Sequence, residues 1–178
     1  MSSRTHHTRR PIIEGQYHVS DDPNLVLTTV LGSCVAACVR DPVARIGGMN
    51  HFLLPGDDDR TQSHDAERYG VYLMELLVNG LMSRGAQRER LEAKLFGGAK
   101  SVIKNSDIGA MNVTFAETFL KNEGIYIVGG SLGGASGRRI EYWPVTGQAR
   151  QIFLGEVQVV PVPRQPAASP TEGDLELF

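Results

Sequence analysis

Cys34 and Cys38 are the chain's two cysteines, and His51 follows them across a stretch that reads as a β-hairpin. A thiol becomes a nucleophile when a base takes its proton, and imidazole suits that task near neutral pH. The spacing predicts how the two meet. With residues 41–44 as the loop, opening on Asp41-Pro42, Arg40 faces Arg45, Val39 faces Ile46 and Ala37 faces Gly48, so that Cys34 falls directly opposite His51. Directly opposed residues hold their Cβ atoms about 4.5–5.5 Å apart on one face. One residue of slip sends the imidazole to the other face. Gly32 and Ser33 precede the thiol. A tight turn there leaves backbone N–H groups beside the sulfur, suited to the oxyanion formed when a thiolate attacks a carbonyl. A third group should orient the imidazole, and Thr28 and Thr29 on the preceding strand each offer a hydroxyl.

The same residues admit plainer readings. A cysteine in a β-rich core is commonly a small buried hydrophobe, and residue types alone leave that open for Cys34. Cys38 shares its face by strand parity but faces Gly47, so it has no base. A metal site from Cys34, Cys38 and His51 lacks a fourth ligand and a Cys-x-x-Cys pair, so neither metal nor cofactor is expected. Gly97-Gly98 and the glycines within 129–137 lack the Lys-Ser/Thr ending of a nucleotide loop and read as turns. Asp57-Asp58-Asp59, with His64 nearby, reads as a solvated acidic loop.

The elements that must position these residues alternate irregularly. Strands are predicted at 25–30, 35–40, 46–54, 91–96, 125–128, 139–143 and 149–154. A helix over 65–84 carries Tyr69, Leu73, Leu76, Leu77 and Leu81 at helical spacing and stops at Gly85. A second, over 111–123, carries Phe115, Phe119 and Leu120 and stops at Gly124. Strands outnumber helices and hairpins imply antiparallel pairing. The fold class is α+β, layered mixed β-sheets with two main helices packed against them. The 178 residues suit one domain, over 17–160, between flexible tails at 1–16 and 161–178. The second tail ends in Asp174-Leu175-Glu176-Leu177-Phe178, which offers acid and aromatic groups to a partner.

A net charge of −2 gives no electrostatic case for nucleic acid or an anionic membrane. The apolar runs are too short to span a bilayer, and residues 1–10 are polar and basic rather than a signal sequence. A cytoplasmic location is expected, with both thiols reduced.

The ordered set of motifs resembles the CheD family, the chemoreceptor glutamine deamidases of bacterial chemotaxis, over roughly residues 17–154. The set comprises Leu31-Gly32-Ser33-Cys34-Val35, Gly47-Gly48-Met49-Asn50-His51-Phe52-Leu53-Leu54-Pro55, Arg68-Tyr69, Lys94-Leu95-Phe96-Gly97-Gly98-Ala99, Ile108-Gly109 with Asn112, and Gly133-Gly134 with Gly137-Arg138-Arg139. The resemblance implies a Cys–His–Thr triad of Cys34, His51 and Thr28, the threonine six residues before the cysteine, with Thr29 as its adjacent duplicate. It implies a fold like the catalytic domain of cytotoxic necrotizing factors. Chemoreceptor helices are the implied substrate and a CheC-type phosphatase an implied partner, which leaves a non-catalytic regulator as the alternative function. Asn50 stands where relatives often carry a small residue such as Ala. A transglutaminase or a cysteine protease on the same dyad is a more distant reading.

Overall fold

The computed structural model describes residues 6–54, 60–101 and 107–155, with side chains from residue 64 in the first helix. The strands are β1 (Thr8–Pro11), β2 (Tyr17–Ser20), β3 (Leu25–Leu31), β4 (Val35–Asp41), β5 (Ile46–Asn50), β6 (Glu92–Gly97), β7 (Tyr126–Leu132), β8 (Arg138–Tyr142) and β9 (Ala149–Phe153). The helices are α1 (Arg60–Ser83) and α2 (Ile108–Asn122), and a single 3-10 turn lies at Arg88–Arg90. One sheet has the order β1-β3-β8-β9 and the other β2-β5-β4-β6-β7. Two pairs are parallel, β1 with β3 and β6 with β7. The expected α+β layering therefore holds.

Strand alternation explains the layers. Val35, Ala37 and Val39 of β4 pack with Leu73, Leu77 and Leu81 of α1 and with Ala116, Phe119 and Leu120 of α2. Their neighbours Ala36 and Cys38 turn the other way, onto Leu27, Leu31, Ile140 and Tyr142 of the four-stranded sheet. The five-stranded sheet is thus the middle layer, apolar on both faces, with helices on one side and the second sheet on the other. Both helices end as expected: Gly85 and Gly124 have φ of +101° and +69°, a conformation that costs glycine no Cβ clash.

The hairpin register differs from the spacing argument. Asp41 pairs with Ile46, Arg40 with Gly47, Val39 with Gly48 and Cys38 with Met49, two residues out of step with expectation. The loop keeps four residues but starts at Pro42 and closes on Arg45, whose φ is +56°. Asp41 is the cause. It is fully buried, it accepts from the N–H of Val43 and Ala44, and Arg90 grips it from the 3-10 turn. An aspartate so occupied ends the strand rather than opening the loop.

The N-terminal tail also needs correction. Residues 8–11 form β1, and Ile12 is buried between the sheets. Residue 17 is therefore not the domain boundary. The tail at 161–178, including Asp174 to Phe178, and the acidic Asp57-Asp58-Asp59 lie outside the described residues.

Candidate active site

His51 follows β5 at the seam between the sheets and is held on every side. Its N–H donates to the Gln16 carbonyl and its own carbonyl accepts from the N–H of Gly15. The ring is fixed by Thr29 on β3: Nδ1 lies 2.9 Å from the Thr29 Oγ1. That hydroxyl donates to the Ile12 carbonyl at 2.7 Å. A hydroxyl has one proton and a carbonyl can only accept. With its proton committed to Ile12, Thr29 must accept from His51, so Nδ1 carries the imidazole hydrogen. The Ile12 carbonyl, 3.3 Å from Nδ1, takes a second share of it. The Nε2 lone pair is left free, buried and without a hydrogen-bond partner among the described residues. An imidazole held in this tautomer presents a nitrogen able to accept a proton.

Cys34 stands at the end of a turn leaving β3, half-buried against the inter-sheet core. The turn is gripped through its carbonyls. Gly32 accepts from the Ala99 N–H at 2.9 Å and Cys34 from the Gly98 N–H at 2.8 Å. Ser33 accepts from the Asn112 side-chain amide at 2.9 Å. Their N–H groups meet no acceptor among other described residues, and that of Cys34 lies against its own sulfur. Gly97 has φ +111°, and a Cβ there would sit 2.1 Å from the Cys34 carbonyl. This close approach explains the Gly97-Gly98 pair: it is a turn that supports the Cys34 backbone.

Burial and then the Glu14 carboxylate push the Cys34 thiol up to about 11. Burial lowers His51 below its ordinary value, against smaller upward pulls from the Ile12 carbonyl and Glu14. Thiol and imidazole are both neutral at pH 7. The arrangement suits base-assisted attack rather than a standing thiolate.

The structure gathers most of the expected residues and revises their relations. Continued from the bridge between Val35 and Phe52, the register sets Ala36 opposite His51, with Cys34 a diagonal neighbour on the same face. The two are not directly opposed. The hydroxyl on the imidazole belongs to Thr29, not Thr28, since Leu27, Thr29 and Leu31 form the buried face of β3 and Thr28 turns away from it. Cys38 pairs with Met49 rather than Gly47, and burial raises its thiol beyond reach of reaction. Asn50 points away from the site, accepting from the Ala37 N–H and donating to the Leu73 carbonyl of α1. His64, on α1, lies apart, in a groove with Glu67, Arg68 and Glu75. Ile12, Glu14 and the bonding of Asn112 had no sequence signal beyond the motif that includes Asn112. Among the described residues no three His, Cys, Asp or Glu side chains gather to hold a metal. An open cleft of roughly 450 Å³ gives access to His51, bordered by Ile12, Ile13, Glu14, Thr28 and Val30.

A half-buried thiol, an imidazole with one nitrogen committed and the other free, and unoccupied N–H groups by the thiol's turn are the parts a cysteine amidohydrolase uses, here on a three-layer α+β scaffold. The family model for CheD, chemotactic sensory transduction, matches residues 53–151. Curated relatives named "Probable chemoreceptor glutamine deamidase CheD" include those of Rhizobium etli (strain CIAT 652), 58% identical with 94% of each chain covered. Those of Caulobacter sp. (strain K31) are 56% identical over 94% of this chain and 91% of theirs, and of Agrobacterium fabrum 54% identical over 94% of each. The chain belongs to the CheD family. Among solved structures, the Bacillus licheniformis hypothetical protein YfiH matches with TM-score 0.41 at 13% identity, covering 73% of this chain and 61% of that one. Neisseria meningitidis NMB0706 matches with TM-score 0.40 at 13% identity, over 67% and 52%.

Proposed function

We propose that this chain deamidates glutamine side chains of chemoreceptors, with Cys34 as nucleophile, His51 as base and Thr29 as the residue that fixes its tautomer. The observation that carries the reading is the committed Nδ1 and free Nε2 of His51, in a chain of this family. The Nε2 takes the thiol proton as sulfur attacks the amide carbon, and the N–H groups of Ser33 and Cys34 hold the oxyanion. The imidazolium returns the proton to the departing ammonia. Water, deprotonated by the same nitrogen, then hydrolyses the thioester and leaves glutamate. Each turnover replaces a neutral residue with an anion, a change that biases the signalling equilibrium of a helical receptor bundle. The open cleft, rimmed by exposed Ile13 and Val30, suits a side chain presented from a helix. The proposed chemistry on receptor cytoplasmic domains calls for a cytoplasmic location. Separately, no described helix is long and apolar enough to cross a membrane. A CheC-type phosphatase enters as a partner on the family resemblance, and co-purification tests it.

The deciding experiment incubates the protein with a receptor cytoplasmic domain and follows ammonia release and the Gln-to-Glu mass change. The wild type releases ammonia and Cys34→Ala does not. Undiminished release from Cys34→Ala overturns the reading.

A further inference from the structure

We propose that Asn112 is a positioning residue for the oxyanion donors: its side-chain amide holds the peptide between Ser33 and Cys34 with the N–H turned toward the sulfur. The inference deepens the deamidase reading and rests on it. A trans peptide is planar, so its carbonyl and N–H point in opposite directions. Whatever grips the Ser33 carbonyl therefore aims the Cys34 N–H. The carbonyls on either side, of Gly32 and Cys34, are held by the backbone N–H groups of Ala99 and Gly98. The middle one alone is held by a side chain, the Asn112 Nδ2 at 2.9 Å.

The geometry leaves that amide no alternative orientation. Asn112 is fully buried in the first turns of α2, and its Oδ1 accepts from the Leu54 N–H at 2.9 Å. A flip would set Oδ1 against the Ser33 carbonyl and the amide hydrogens against the Leu54 N–H, two repulsions in place of two bonds. Leu54 lies three residues beyond His51. One side chain thus ties the nucleophile's turn to the segment after β5 that carries the base. A residue serving helix packing alone would need no such pair of polar bonds, and α2 already packs through Ala116, Phe119 and Leu120.

The test separates oxyanion support from folding and from thiol reactivity. Asn112→Ala is assayed for deamidation, for alkylation of Cys34 by iodoacetamide, and for inhibition by a glutamine-like peptide aldehyde. Alkylation displaces iodide at a saturated carbon and forms no oxyanion, whereas the aldehyde adduct carries one. Losing the aim of one donor lowers kcat about 10²-fold, weakens the aldehyde in parallel, and leaves KM and the alkylation rate within about 3-fold. A folded variant with kcat within about 5-fold of wild type, or with alkylation falling in step with deamidation, overturns the proposal. If Asn112→Ala does not fold, Asn112→Ser, which keeps a polar group against α2 but falls short of Ser33, is read the same way. Should Cys34→Ala remain active, the deamidase reading fails; should Cys34→Ala be inactive and both Asn112 variants behave as wild type, only the positioning role fails.

Discussion

The sharpest perturbation is a single hydroxyl. Thr29→Val keeps the shape of a residue only 5% exposed and removes the Oγ1 that lies 2.9 Å from His51 Nδ1. The Nδ1 hydrogen is left with the Ile12 carbonyl at 3.3 Å, too long to replace it. A hydrogen bond to a neutral group contributes about 1 kcal/mol, and one to a charged group about 1.5–3 kcal/mol. The imidazole becomes charged as it takes the thiol proton, so the larger figure applies to the transition state. The resting imidazole loses the smaller figure as well, so the barrier rises by the difference, about 0.5–2 kcal/mol, and at about 1.4 kcal/mol per decade kcat falls roughly 2- to 30-fold. Thr29 is buried behind the ring, so KM changes little. The acidic limb of the rate profile moves to lower pH, because the protonated ring has lost an acceptor. Thr29→Ser retains the hydroxyl and stays within about 3-fold of wild type. Thr28→Val alters the border of the cleft and so moves KM, but it removes no bond to the ring and keeps kcat within about 3-fold of wild type. Ammonia release from a receptor cytoplasmic domain measures all three. If Thr28→Val costs as much kcat as Thr29→Val, the reasoning from the hydrogen-bond network is refuted.

Two further outcomes follow from the nucleophile's surroundings. Gly97→Ala combines a positive φ with a Cβ driven into the Cys34 carbonyl; it costs about 2–3 kcal/mol in urea denaturation and most of the activity, and an unchanged unfolding midpoint with full kcat contradicts the described packing. The pH profile discriminates base-assisted attack from a resident thiolate: with the thiol near 11, iodoacetamide alkylation of Cys34 keeps rising beyond pH 9, and deamidation declines only as acid protonates His51 below its ordinary value. Alkylation already level by pH 8 points instead to a thiolate–imidazolium pair.

The elements were legible because their signals are local. Apolar spacing marked both helices, glycine marked their ends, and β-branched runs marked the central strands. The register was not legible, because Asp41 is held by Arg90, nearly fifty residues away, and no hairpin rule includes that partner. Strands β1 and β2 escaped notice for a related reason: Thr-Arg-Arg-Pro carries no apolar alternation, and β1 exists by pairing with β3. At the site, strand parity survived a two-residue shift, so Cys34 and His51 keep to one face although they are not directly opposed. The choice between Thr28 and Thr29 depends on which face of β3 meets the second sheet. Motif position pointed to the first and burial selected the second. Ile12 acts through its carbonyl, so its side chain carried no signal for that contact.

That carbonyl has a practical consequence. It is delivered by β1, four residues at the rim of their sheet, all solvent-exposed. Fraying at such a rim requires far less free energy than unfolding the whole domain. When β1 peels away and draws Ile12 with it, Thr29 loses the acceptor that commits its proton, and the imidazole loses its fixed tautomer although the rest of both cores stays packed. Mild heat or dilute denaturant therefore silences the enzyme before circular dichroism registers any change. Catalysis is the more sensitive gauge of injury, and a truncation that removes the residues through Ile12 disarms the molecule although it spares every helix and costs the inter-sheet cluster a single side chain.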